Sequence, residues 1–222
     1  MIKTRLGLTA LGFAAVAILF ILLAFVTSSW LVTDGELEKP KFESIGLWIV
    51  CFKDFEDQRH WYDTHFAGCW WVYEEEYYII HEFLLPGFFI AVQFFFTITF
   101  ILTLIAGLLT LVYLCTSRDA ENFVCLLATL GGSMFTAALS GSVAVIIFGA
   151  YGDARYWMPN WEHNNMGYSY WIAVIGTVAA YIGGVLFLVE SRKHSIKHRR
   201  FRQDPSDYVM SERTAYGGHT NI

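Results

Sequence analysis

Four side chains in one polar stretch offer the richest chemistry in this sequence: Cys51, His60, His65 and Cys69. Two thiolates and two imidazoles form a ligand set that zinc accepts. In an oxidising compartment the same two cysteines pair with each other instead. The short Cys-x₂₋₄-Cys knuckle of structural zinc sites is missing, and the stretch reads as extracellular. A disulfide is therefore the preferred reading, with zinc as its rival. With 17 residues between the cysteines, closing that loop contributes ~3 kcal/mol in the chain-entropy model.

Three weaker signals lie elsewhere. Glu74, Glu75 and Glu76 form an acidic run, in a segment with twelve acids against four lysines and arginines. Such charge in a narrow gap attracts cations, although a solvated acidic surface explains it as simply. Cys115 and Cys125 flank the short connection that carries Arg118, where thiols suit S-palmitoylation or stay inert. The chain ends in Thr220, Asn221 and Ile222. A hydroxyl two residues before an apolar terminus matches a ligand for a PDZ scaffold, which adds a strand and buries the end group. No Gly-rich phosphate loop, nucleophile elbow, HExxH or CxxC is present. The expectation is a protein that is no enzyme and needs no cofactor or resident metal. The net charge of −5 gives no footprint for nucleic acid.

The elements that position these residues follow from hydropathy. Of the 222 residues, 55% are hydrophobic and 16% charged, a balance tilted toward lipid. About 20 apolar residues cross the ~30 Å hydrocarbon as a helix. Four stretches meet that requirement, at about 6–26, 88–115, 123–151 and 171–189. Lys3 and Arg5 ahead of the first resemble a signal-peptide n-region, but the apolar run is too long for one, so an uncleaved anchor is expected.

Orientation follows from basic residues near the span ends. Lys3, Arg5, Arg118, Arg192, Lys193, Lys197, Arg199, Arg200 and Arg202 fall on one side, which is expected to be cytoplasmic with both termini. The loops 31–86 and 152–170 then face outside. A four-span domain over 1–195 and a disordered tail over 196–222 complete the organisation. The basic start of that tail fixes topology and touches the anionic surface of the lipid bilayer.

Within the first loop, residues 42–52 and 68–73 are rich in β-branched and aromatic side chains and read as two paired strands, with one cysteine each. Residues 74–85 read as a short amphipathic helix at the membrane interface, with Tyr77, Tyr78 and Phe83 at headgroup level. Gln93, near one end of the second span, is expected to bond a neighbouring helix or loop. Glycines, alanines and serines over 131–142 suit close helix packing.

Trp30 after the first span, Gly46-Leu47-Trp48, Cys51 and Cys69 together resemble the W…GLW…C…C signature of the claudin family. The resemblance covers about residues 1–195. It implies a membrane all-α four-helix bundle, left-handed, with a small extracellular antiparallel β-sheet that takes most of its strands from the first loop and one from the second. Trp30, Gly46, Leu47 and Trp48 would root that sheet in the bundle.

The family's vertebrate members place their two cysteines closer together. They also usually carry an arginine where this chain reads His81-Glu82-Phe83-Leu84-Leu85-Pro86. The long inter-cysteine segment is most similar to divergent invertebrate claudin-like proteins of septate junctions. The implied role is paracellular barrier formation at lateral cell–cell contacts in the plasma membrane of an epithelium. Its partners would be other claudin-like or junction proteins in cis and in trans. Two alternatives stand beside it: an auxiliary subunit of an ion channel or receptor, and a paracellular cation-selective pore. Channel-subunit relatives often carry a glycosylation sequon in the first loop, and this chain has none.

Overall fold

The computed structural model describes residues 4–38, 40–56, 65–117, 120, 122–152 and 157–203, without the side chains of 56, 76, 78, 79 and 198–203. Four helices are long and apolar enough to cross a membrane: α1 (Arg5–Val26), α3 (Gly87–Cys115), α4 (Phe123–Tyr151) and α5 (Tyr168–Gln203). They form an antiparallel four-helix membrane bundle in the ring order α1, α5, α4, α3.

Small residues set its spacing. The buried face of α1 is Gly7, Ala10, Ala14, Ala17, Ile21 and Ala24, almost all small and at helical intervals. On α4 and α5, a Cβ at Gly131 would meet the Gly184 carbonyl at 2.9 Å, and one at Gly184 would meet the Phe135 nitrogen at 2.9 Å. In lipid, where tails are as apolar as leucine, such close approach maximises dispersion between helices. Hydroxyls add cross-helix bonds: Ser140 Oγ donates to Phe95 O at 2.8 Å and Thr99 Oγ1 to Ala137 O at 3.2 Å.

A five-stranded antiparallel sheet stands on one end of the bundle, in the order β4-β3-β2-β1-β5. Its strands are β1 (Leu31–Thr33), β2 (Phe42–Ile45), β3 (Ile49–Glu56), β4 (His65–Trp71) and β5 (Asn164–Met166). Four come from the first long loop, and β5 comes from the second. Leu31, Val32 and Thr33 pair with Met166, Asn165 and Asn164, which ties the two loops together.

Three expectations are corrected. Residues 42–52 are two strands of a hairpin: the chain turns at Gly46-Leu47-Trp48, where Gly46 N–H donates to Ile49 O at 2.8 Å. The turn is imposed by docking, since a Cβ on Gly46 would collide with the Thr27 carbonyl and the Ser28 backbone of the segment leaving α1.

Residues 74–85 are a 3₁₀ segment (Glu75–Ile80) followed by the short helix α2 (His81–Leu84). Tyr77 is buried against Phe52 and Phe66 at 6.0 and 5.3 Å, so it belongs to the sheet's core and not to an interfacial belt. Phe83 stacks on Phe55 at 5.9 Å, and the Tyr78 side chain lies outside the described ones.

The expected tail begins as helix, because α5 runs unbroken to Gln203. No glycine or proline occurs between residue 190 and Pro205, and backbone ahead of a proline disfavours helix.

Candidate functional site: the root of the sheet and its rim

The four signature residues converge where the sheet meets the bundle. Trp30 is fully buried, with its ring 5.0 Å from both Phe96 of α3 and Phe148 of α4, and 6.1 Å from Tyr170 of α5. Its Nε1–H donates to Ala24 O at 2.8 Å. Ala24 lies in the last turn of α1, where carbonyls lack intrahelical donors, so the indole satisfies a buried acceptor that would otherwise be orphaned.

The backbone of Trp30 serves two strands at once. Its N–H donates to Ile45 O at 2.8 Å, and its carbonyl accepts from Gly167 N–H at 2.9 Å. One residue thus binds all four helices and both loops.

The tripeptide divides its contacts. Gly46 lies on the end of α1, where no side chain fits. Leu47 is buried, and its carbonyl accepts from Gln93 Nε2 at 2.6 Å. Gln93 Oε1 in turn accepts the Tyr73 hydroxyl proton at 2.9 Å. A buried amide in α3 is therefore satisfied on both sides by the sheet, as a polar group at membrane depth requires. Trp48 is half-buried and packs on Phe25 at 5.4 Å and Tyr73 at 6.5 Å.

Cys51 and Cys69 are directly opposed on β3 and β4 and form a disulfide, with S–S 2.01 Å and Cα–Cα 4.0 Å. This removes both thiols from the rival zinc set. His65 Nδ1 lies 3.1 Å from Asp54 Oδ1, and His60 lies outside the described residues.

A contact between the two loops, invisible in the sequence, flanks β1 and β5. Asp34 N–H donates to His163 O at 2.7 Å, and His163 Nδ1 lies 2.9 Å from Asp34 Oδ2. The other Asp34 oxygen accepts Glu36 N–H at 2.9 Å. That backbone bond is the largest influence on the Asp34 carboxyl; desolvation, next in size, pushes it up, the contact with His163 pulls it down again, and the net is a value below the ordinary 3.8. Donor atoms of Asp34, Glu36 and His163 all lie within 4.8 Å, the nearest approach to a metal-ligating set among the described residues. The aspartate and histidine already satisfy each other, so the group works as a clasp. No local motif signals it, because its partners are 129 residues apart.

The remaining singled-out residues stay apart from this root. Glu74 and Glu75 are exposed at the start of the 3₁₀ segment, and the Glu76 side chain lies outside the described ones. Cys115 and Cys125 are exposed thiols at the end of the bundle far from the sheet. Thr220, Asn221 and Ile222 lie outside the described residues.

Compared with known proteins, the chain matches the family model "PMP-22/EMP/MP20/Claudin tight junction" over residues 15–189. No curated protein matches it. The matched span holds α3 and α4 whole, the second half of α1, α5 as far as Val189, the whole sheet, the disulfide and the signature residues. The family is a structural one without catalytic function. With four apolar helices, a sheet drawn from both loops and a family match over most of its length, the chain belongs to the PMP-22/EMP/MP20/claudin family of multi-pass membrane proteins.

Proposed function

We propose that this protein is a structural component of epithelial cell–cell junctions of the septate type, contributing to a paracellular barrier. Its sheet faces the intercellular gap, and both termini are cytoplasmic. The observation that carries this reading is the way the sheet is fixed: Trp30 binds four helices and two strands through one buried side chain and its backbone. A sheet locked to its membrane anchor holds a set height and angle, which contact with a facing cell requires.

The septate assignment rests on the long β3–β4 connection, whose residues 57–64 lie outside the described ones. In this reading the partners are other junction proteins of the same membrane and of the facing one. The C-terminal Thr220-Asn221-Ile222 engages a PDZ scaffold, and Cys115 and Cys125 accept acyl chains. The exposed Glu74 and Glu75 belong to the solvated surface of the gap.

The test is localisation of a tagged copy in a polarised epithelium, with tracer leakage measured after depletion. A lateral belt and a leaky layer are expected. An intact barrier, with the protein co-purifying with a channel, would replace this reading with that of an auxiliary subunit.

A further inference from the structure

One edge of the sheet is β4, and while its Phe66 is buried in the core, the aromatic residues at its end and just beyond it are not packed away. Trp70 is 47% exposed, Trp71 52% and Tyr73 39%. Natural edge strands are blunted by charge or proline to prevent pairing with another chain. After His65, β4 reads Phe-Ala-Gly-Cys-Trp-Trp and has neither.

Trp71 and Tyr73 continue a ladder that runs onto the bundle, while Trp70 Nε1–H donates to Ala67 O at 2.9 Å within β4. Trp71 packs on Tyr73 at 5.4 Å, Tyr73 on Trp48 at 6.5 Å and Trp48 on Phe25 at 5.4 Å, and Phe25 stacks on Phe100 of α3 at 4.0 Å. Around its lower end the bundle presents Leu23, Val26, Ile90, Phe94 and Ile101, all exposed and apolar on a surface that spans the membrane.

The depth of the ladder follows from helix length. α3 has 29 residues, about 43 Å at ~1.5 Å per residue, against ~30 Å of hydrocarbon. Centred, it leaves ~6–7 Å protruding at each end, about four residues, so the hydrocarbon begins near residue 91. The Tyr73 hydroxyl bonds Gln93, just inside that level. The Tyr73 ring therefore straddles the boundary, and Trp71 lies in the headgroup layer beside it. Aromatic rings with one polar corner favour this layer.

We propose that the β4 edge of the sheet is a lipid-binding surface: Trp70, Trp71 and Tyr73 seat the sheet in the headgroup layer of the same membrane that the bundle spans. The occupant is phospholipid and not a second copy of the chain, because the patch is continuous with the acyl-facing surface of α1 and α3. Glu74 and Glu75 follow directly in the chain, which suits a zwitterionic headgroup over an anionic one. The junction reading is not required for any of this.

The test uses the full chain in phosphatidylcholine nanodiscs holding one copy each. Tryptophan emission of the wild type is compared with that of W70F/W71F, so that the difference isolates the two indoles. Expected is a difference emission that is blue-shifted, loses about half or more of its intensity with lipid spin-labelled near the headgroup, and resists aqueous iodide. Quenching by iodide with no effect of the spin-labelled lipid overturns the proposal, because the edge then stands in water. Protection from both quenchers that appears only in discs with two copies also overturns it, in favour of strand pairing between chains. Should the double variant fail to fold, W70F and W71F singly give the same comparison.

Discussion

At the residue scale, stability at the sheet's root rests on an indole that is both a packing block and a donor. W30A removes a fully buried ring between three helices and leaves the Ala24 carbonyl unpaired. The expected loss is ~3–5 kcal/mol, typical of large-to-small changes in a core. W30F keeps most of the ring and forfeits the hydrogen bond, so it costs ~1–3 kcal/mol for a buried unsatisfied acceptor. Thermal or denaturant unfolding in detergent micelles separates the two. Equal losses for both variants would show that the bond to Ala24, which both remove, outweighs the ring packing that only W30A removes.

The Asp34–His163 clasp makes a different prediction at the same scale. The Asp34 carboxyl titrates below its ordinary value of 3.8 in the folded chain. Its contribution is therefore complete above that value and is lost as pH falls through the lower, folded one. D34N should flatten the acid limb of the melting temperature below about pH 4 and leave the neutral region nearly level. An unchanged acid limb would assign acid sensitivity to other carboxyls.

At the scale of elements, the disulfide and the hairpins can be tested together. The sheet has a small core, so the Cys51–Cys69 link between β3 and β4 carries a large share of its local stability. C51S/C69S should cost ~3 kcal/mol there by the loop-entropy relation, with amides of β3 and β4 exchanging roughly a hundredfold faster. Amides of α3 and α4 should keep their protection, because the bundle is packed by its own small residues. Loss of protection throughout would mean that sheet and bundle fold as one unit.

What the sequence disclosed at this scale follows from what each element needs. A membrane span demands some 20 contiguous apolar residues, so all four helices were legible to within a few residues at most ends. The cysteines were legible because each lies on a β-rich run. The break at Gly46 was not, since Ile45, Leu47 and Trp48 continue the strand composition and the turn comes from contact with Thr27 and Ser28. Tyr77 was misplaced for a similar reason: amphipathic spacing tells that one face is apolar, and not whether lipid or a sheet covers it. Strand β5 and the clasp at His163 depend on partners more than a hundred residues away, so a strand from the second loop was expected only through the family resemblance and the clasp had no signal at all.

For the whole molecule, charge is separated along the bundle axis. Arg5, Arg192, Lys193 and Lys197 lie at the end far from the sheet, together with the exposed Cys115 and Cys125. The sheet end carries the acids Asp34, Glu36, Glu43, Glu74 and Glu75, with Lys41 and Lys53 among them. Basic residues flanking a span resist translocation, so the far end should remain cytoplasmic.

The disulfide argues the same way independently, because it persists in the oxidising exterior and not in the cytosol. An epitope fused to either terminus should therefore bind antibody only after cells are permeabilised. A membrane-impermeant thiol reagent should leave Cys115 and Cys125 unlabelled in intact cells and label them once the membrane is opened, where acyl chains have been removed. A terminus accessible in intact cells would invert the topology. It would place the disulfide in a reducing compartment and withdraw the sheet from any role in the gap between cells.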